Sequence, residues 1–214
     1  MAFREDVVVR STVSVFCAVV GALALVFGSF AGPASADGLG GIISEVRGGV
    51  LVHDVGRDNP TKTKEENTID INGEILSVPL KVSTSDIPFI QSMLAPRVAI
   101  GFSANTAGWT NNGYGGLSWE WLLGAGFFFD FAFGMDLNDG QLKAARTSTG
   151  AFEIDGRPNL GSSVLFREAV DIGYRFDPIN SLSAYAAHIS NAGWIAPQND
   201  GMNFLGVRYG FRFN

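Results

Sequence analysis

The sequence predicts an all-β chain, an eight-stranded antiparallel transmembrane β-barrel of the outer-membrane kind, on three observations. Apolar and polar residues alternate with period two along the C-terminal half, the N-terminus has the layout of an export signal, and past that signal no apolar run is long enough to span a membrane as a helix. In lipid every backbone amide needs a partner within the structure, so a chain without a spanning helix enters a membrane only as a closed barrel.

At the N-terminus, Arg4 and Arg10 precede an apolar run from about Val13 to Phe30, and Ala34-Ser35-Ala36 gives a small-x-small cleavage pattern before Asp37. Residues 1–36 are expected to be a cleaved signal peptide and residues 37–214 a single barrel domain. An uncleaved anchor is the competing reading, since the run is almost long enough to span, but Gly32-Pro33 and the Ala-x-Ala end suit cleavage better. Cys17, the only cysteine, lies inside the run, so the mature chain has neither a disulfide nor thiol chemistry. The net charge of −6 survives cleavage, because Arg4 and Arg10 are balanced by Glu5 and Asp6. No basic stripe results, and nucleic acid is not expected as a partner.

The strands follow from alternation. In the last one Leu205, Val207, Tyr209, Phe211 and Phe213 oppose Gly206, Arg208, Gly210 and Arg212. Phe127, Phe129, Phe131, Phe133 and Met135 oppose Phe128, Asp130, Ala132, Gly134 and Asp136, and Val164, Phe166, Val170, Ile172 and Tyr174 oppose Leu165, Arg167, Ala169, Asp171 and Gly173. An apolar, aromatic row facing lipid and a charged row facing a narrow lumen explain this pattern, with arginines and aspartates neutralising one another inside. A soluble sandwich or lipocalin-like barrel would turn the apolar rows inward. Gly124 and Gly126 are read as easing barrel curvature. Each spanning strand needs roughly 10 residues, so eight strands use about 80 and leave ample length for loops. Asp177-Pro178-Ile179-Asn180 reads as a tight turn, whereas residues 57–67, 138–159 and 191–202 read as long loops. Short turns face the periplasm and long loops face outward, which puts the last hairpin loop at the outer surface.

His188 and Ser190 stand two apart at the outer end of the seventh strand, so they share a face. A neutral imidazole beside a hydroxyl is the minimum for a nucleophile and its general base. Asn191 and the amides near Gly193 are candidate oxyanion donors. Alternation does not settle which face the pair takes, because Tyr185 and Ile189 are as apolar as Leu182, Ala184 and Ala186.

The run His188-Ile189-Ser190-Asn191-Ala192-Gly193, then Pro197, Asn199-Asp200-Gly201 and Leu205-x-Val207-Arg208-Tyr209, resembles the C-terminal signature of the PagL-type lipid A 3-O-deacylases. Leu160-Gly161-Ser162-Ser163 with Phe166 and Glu168 is also similar to that family. The resemblance covers about the last 55 residues and implies an eight-stranded outer-membrane barrel with a Ser-His-acid site facing lipid near the outer leaflet. It implies Ser190 as nucleophile, His188 as base, Asn191 as an oxyanion donor, lipopolysaccharide as substrate and the bacterial outer membrane as location, with no cofactor or metal. One position departs from the family: its acid corresponds here to Asn203, which can orient an imidazole but adds no charge. Glu168 and Asp200 are the other candidates for that part.

His53 is expected at the rim, too far from His188 in the chain to suggest a metal site, and Trp109, Trp119, Trp121 and Trp194 are expected in an interfacial belt. A non-enzymatic structural or adhesive barrel is the alternative function, favoured by Asn203 and opposed by His188, Ser190 and Asn191. A homodimer is an open alternative to the monomer.

Overall fold

The computed structural model describes residues 41–56, 65–142, 145–146, 152–153 and 157–213; the expected signal peptide lies outside the described residues. In chain order the elements are β1 (Ile43–His53), β2 (Thr68–Ser77), α1 (Pro88–Met93), β3 (Arg97–Asn105), β4 (Asn112–Gly124), β5 (Phe127–Asn138), a two-residue pair β6 (Ala145–Arg146) and β7 (Phe152–Glu153), β8 (Val164–Arg175), β9 (Asn180–Ser190) and β10 (Met202–Arg212). Eight of these strands close into a barrel in the order β1-β10-β9-β8-β5-β4-β3-β2, while β6 and β7 pair separately within a loop. Every pairing is antiparallel, and closure joins Glu45 to Arg212 and His53 to Phe204 across the first and last strands. Closing the sheet removes the unpaired edges that an open sheet would present to lipid.

Alternation decides which side of each strand faces in, as the sequence predicts. On β5, Phe128, Asp130, Ala132 and Asp136 are buried, while Phe127, Phe133 and Met135 are exposed on the outside. On β10, Arg208 is buried and Leu205, Val207, Tyr209 and Phe211 are exposed. The core is therefore the lumen, and charge pairing rather than hydrocarbon holds its inner half. Arg47 lies 2.7 Å from Glu45, 3.1 Å from Asp130 and 3.2 Å from Asp171; Arg97 lies 2.8 Å from Glu45; Arg208 lies 3.1 Å from Glu74 and also pairs with Asp171. Buried charges persist only when paired and hydrogen-bonded, and these positions supply both signs from six strands.

Both ends of the barrel wall, Ile43 and Arg212, lie at one rim. There the turn at Asp177 is tight: Asp177 Oδ1 accepts the amides of Ile179 and Asn180 at 2.7 Å each, and the Asn180 side chain first, then these two amides, hold its carboxyl below the usual range. Gly124 (φ 91°), Ala125 (φ 49°) and Gly126 (φ 86°) make the β4–β5 turn, so Gly124 and Gly126 serve a reversal and not the expected curvature. The β2–β3 connection departs from the short-turn rule. It carries α1, whose Phe89 stacks on Trp121 with ring centroids 5.6 Å apart, while Trp119 Nε1 donates to the Met93 carbonyl at 3.0 Å.

At the opposite rim His53 is not a surface residue. It is fully buried, with Nδ1 2.9 Å from Asp70 and Nε2 3.3 Å from Glu65. Glu65 also accepts from Arg157 at 2.7 Å and from the Thr110 amide at 3.2 Å. With a carboxylate at each ring nitrogen, His53 ties the first loop to the mouth of the lumen. Trp109 also differs from a lipid-facing belt residue, since the Arg157 guanidinium sits 5.6 Å from its ring centroid.

Candidate active site

Register answers the question that the seventh barrel strand, β9, leaves open in the sequence. Ser181, Ser183, Tyr185, Ala187 and Ile189 are buried toward the lumen, and Leu182, Ala184 and His188 are exposed on the outer wall, with Ser190 half-buried on the same face. His188 and Ser190 thus point away from the lumen, at the rim of the long loops.

The partner of His188 comes from β10. Asn203 is paired with His188 in register, and its Oδ1 lies 2.7 Å from His188 Nδ1. The Asn203 Nδ2 donates to the Val55 carbonyl at 3.1 Å, so the amide cannot present its nitrogen to the ring. His188 therefore carries its proton on Nδ1 and keeps Nε2 as the basic atom. Gly201 (φ +61°) lies against the imidazole; a Cβ there would come within 3.1 Å of His188 Cε1 and 3.0 Å of the Ile189 carbonyl oxygen. The expectation that Asn203 orients His188 has its geometry here, while the part of Gly201 and Val55 goes unread in the sequence. Only the DG turn signal at Asp200-Gly201 could have marked Gly201.

Asn191 differs from its expected role. It is fully buried, its Nδ2 donates to the Leu160 and Gln198 carbonyls, its Oδ1 accepts from the Gly193 amide at 2.7 Å, and its own amide donates to Asn199 Oδ1 at 2.9 Å. The side chain of Asn191 and the amide of Gly193 are both spent inside the loop and are not oxyanion donors in this arrangement. The burial of Asn191 follows from alternation, since it is one residue past outward-facing Ser190. Ala192 (φ 54°) and Gly193 (φ 71°) with the Trp194 amide on the Asn191 carbonyl at 3.0 Å form a type I′ turn. Among the described residues the Ala192 amide is the N–H of this turn with no acceptor. The Leu160-Gly161 segment is the other half of the loop's support, because a Cβ on Gly161 would meet the Gln198 carbonyl.

Asp200 does not reach His188 as a bonded partner; its carboxylate takes the Asn159 amide at 2.7 Å and staples two loops together. Glu168 pairs directly with His188 across β8 and β9 and is exposed on the same outer face. Phe166 pairs with Ser190, and its ring stands edge-on to Trp194 at 5.9 Å and stacks on Phe133 at 6.4 Å. An aromatic strip therefore runs from the loop across β8 to β5 beside the serine. Chemically, the arrangement offers a hydroxyl, an oriented imidazole and a free turn amide at an apolar surface.

A family model described as lipid A 3-O-deacylase (PagL) matches residues 93–212. No curated protein matches the chain. Among solved structures it is similar to the outer membrane enzyme PagL, at 18% identity and a TM-score of 0.55, over 78% of this chain and 99% of that one. It is also similar to the Yersinia pestis outer membrane protein Ail, at 14% identity and a TM-score of 0.41 over 80% and 99%, and to neisserial surface protein A, at 9% and 0.43 over 81% and 97%. The structural likeness speaks to the fold, and the family match spans more than half of the sequence, from Met93 through β10. The chain is an outer-membrane β-barrel that belongs to the PagL family of lipid A 3-O-deacylases.

Proposed function

We propose that the protein is a serine esterase that hydrolyses the 3-O-linked acyl ester of lipid A in lipopolysaccharide of the outer leaflet, with Ser190 as nucleophile and His188 as general base. The observation that carries this reading is the 2.7 Å bond from His188 Nδ1 to Asn203 on the outer wall, which leaves Nε2 basic on the face shared with Ser190. In the reaction Nε2 removes the Ser190 Oγ proton as Oγ attacks the ester carbonyl. The proton then passes to the departing sugar oxygen, leaving an acyl-serine and a free hydroxyl on lipid A. A water, deprotonated by the same nitrogen, attacks the acyl-serine and releases the fatty acid, which restores Ser190. The Ala192 amide is the donor best situated to meet the oxyanion, replacing the Asn191 side chain and Gly193 amide expected from the sequence.

The surroundings suit this substrate. Lipid A has its esters at the boundary of sugar and hydrocarbon, and the His188–Ser190 pair, with Glu168 beside it, lies at the outer end of a wall that carries apolar residues such as Val170, Leu205 and Val207. The aromatic strip of Trp194, Phe166 and Phe133 gives an acyl chain a flat apolar bed. One observation favours a second reading, a barrel of structural or adhesive function: Asn203 brings no charge to the imidazole.

Mass spectrometry of lipid A from cells producing the intact protein or Ser190→Ala separates the two. Loss of one 3-O-linked hydroxyacyl chain with the intact protein alone is the expected result. Unchanged lipid A with a correctly inserted protein overturns the esterase.

A further inference from the structure

We infer that Glu168 is the positioning residue that supplies His188 with its negative charge, from the strand opposite to Asn203. The inference rests on the esterase reading and adds the group that balances the imidazolium formed during it. Glu168 and His188 are direct partners in the β8–β9 register, both on the outer face, and such side chains have Cβ atoms about 4.5–5.5 Å apart.

The rest of Glu168's neighbourhood makes the pairing specific. Its partner on β5 is Phe133, and the next outward residues along β8 are Phe166 and Val170. The diagonal positions on β9 are Ala186 and Ser190, and those on β5 are Phe131 and Met135. A carboxylate on the lipid face of a barrel wall is unfavourable, and among the described residues at these flanking positions His188 is the side chain able to become positive. Among the described residues no donor is bonded to Glu168. The other groups around the ring cannot take the part: Asn203 is neutral, Gly201 has no side chain, and the Asp200 carboxylate is held by the Asn159 amide.

The division of labour follows from these positions. Asn203 fixes the tautomer by accepting from Nδ1, and Glu168 stabilises the ring once Nε2 has taken the Ser190 proton. A charge that acts only when the imidazolium forms lowers the barrier without holding substrate, so it is read in kcat and not in KM.

The test measures kcat and KM on lipopolysaccharide in detergent micelles, and the rate at which a fluorophosphonate probe labels Ser190, for the intact protein, Glu168→Gln, Glu168→Asp and the double variant Glu168→Gln/Asn203→Glu. We expect Glu168→Gln to lower kcat about tenfold to a hundredfold at little-changed KM, with labelling slowed in parallel. Glu168→Asp recovers part of the loss. The double variant recovers more, because it returns a carboxylate to the ring from the other strand, which a packing role for Glu168 does not explain. Glu168→Gln with kcat and labelling within about twofold of the intact protein overturns the inference, as does a folded double variant that recovers nothing. If the intact protein cleaves no acyl chain but labels faster than Glu168→Gln, the substrate reading falls and the role of Glu168 stands. If it neither cleaves nor labels, both fall.

Discussion

The Oδ1 of Asn203 lies 2.7 Å from Nδ1 of His188, and the same amide is held from behind by the Val55 carbonyl at 3.1 Å. Tautomer control is thereby separated from charge: the neutral amide orients the ring, and nothing in this bond favours the imidazolium.

Restoring a carboxylate at this position trades one property for the other. Asn203→Glu is expected to raise kcat severalfold by stabilising the imidazolium, while leaving the Val55 carbonyl without its donor at a cost of about 1–2 kcal/mol. Asn203→Leu removes orientation and is expected to lower kcat at least about a hundredfold. Steady-state kinetics with thermal melts in micelles check both; equal kcat for all three proteins would sink the argument.

Gly201 affects the ring more than the fold. Gly201→Ala forces a Cβ to within 3.1 Å of His188 Cε1 at a φ of +61°, so the ring must swing or the loop must move. The expected stability loss is about 1–2 kcal/mol, with a fall in kcat of about tenfold or more as the His188–Asn203 bond is displaced. A variant with unchanged kcat and a lowered melting temperature would confine Gly201 to the turn.

The buried cluster at the outer mouth gives a pH dependence of definite sign. Burial raises the Glu65 carboxyl, but hydrogen bonds from His53, Arg157 and Thr110 outweigh it and hold the group at about 2 against an ordinary value of 4.5. A lowered carboxyl contributes stability above its unfolded pKa and loses it as pH falls through the folded one. The contacts of Glu65 at the barrel mouth should therefore weaken between about pH 4.5 and 2, at a cost of roughly 3 kcal/mol. Hydrogen exchange of residues 54–56 and 65–67 across that range measures this, and Glu65→Gln should abolish the dependence; an unchanged profile in that variant would refute it.

Breaking the luminal network from one side is costly. Arg208→Met takes from buried Glu74 and Asp171 one of the two cations they share, the other being Arg47, and is expected to destabilise the barrel by about 3–5 kcal/mol. Urea titration followed by the mobility shift of folded barrel on unheated gels reads the loss. A variant as stable as the parent would mean that the remaining arginines compensate.

Barrel strands were legible wherever the two faces differ in hydropathy. The arginine row of β10 and the aspartates of β5 announce the lumen, because charge there contrasts with aromatic residues outside. On β9 the contrast vanishes: Tyr185, Ala187 and Ile189 close the lumen with apolar atoms, so both faces read alike and only the register with β8 and β10 separates them. The same ambiguity hid the inward turn of Asn191. The His188-x-Ser190 pair could be named from the chain because motif spacing survives without knowledge of the face, whereas Asn203 was marked only by the family resemblance. His53 lies at the expected rim, but its burial was not legible, because its partners Asp70 and Glu65 come from β2 and a loop, with Arg157 behind Glu65, and no local pattern reports a contact made across the barrel mouth. The β2–β3 connection, with α1 laid against Trp121, breaks the short-turn rule without any periodic signal of its own.

His188 and Ser190 stand on the outside of a wall whose inside is filled with ion pairs. A molecule reaching them does not enter a cavity from water; it slides along a two-dimensional fluid until it meets one strand. Encounter is then governed by how many copies lie per unit area and how quickly they diffuse sideways, so diluting the surrounding bilayer with inert lipid should slow the meeting even when every bulk concentration is held constant.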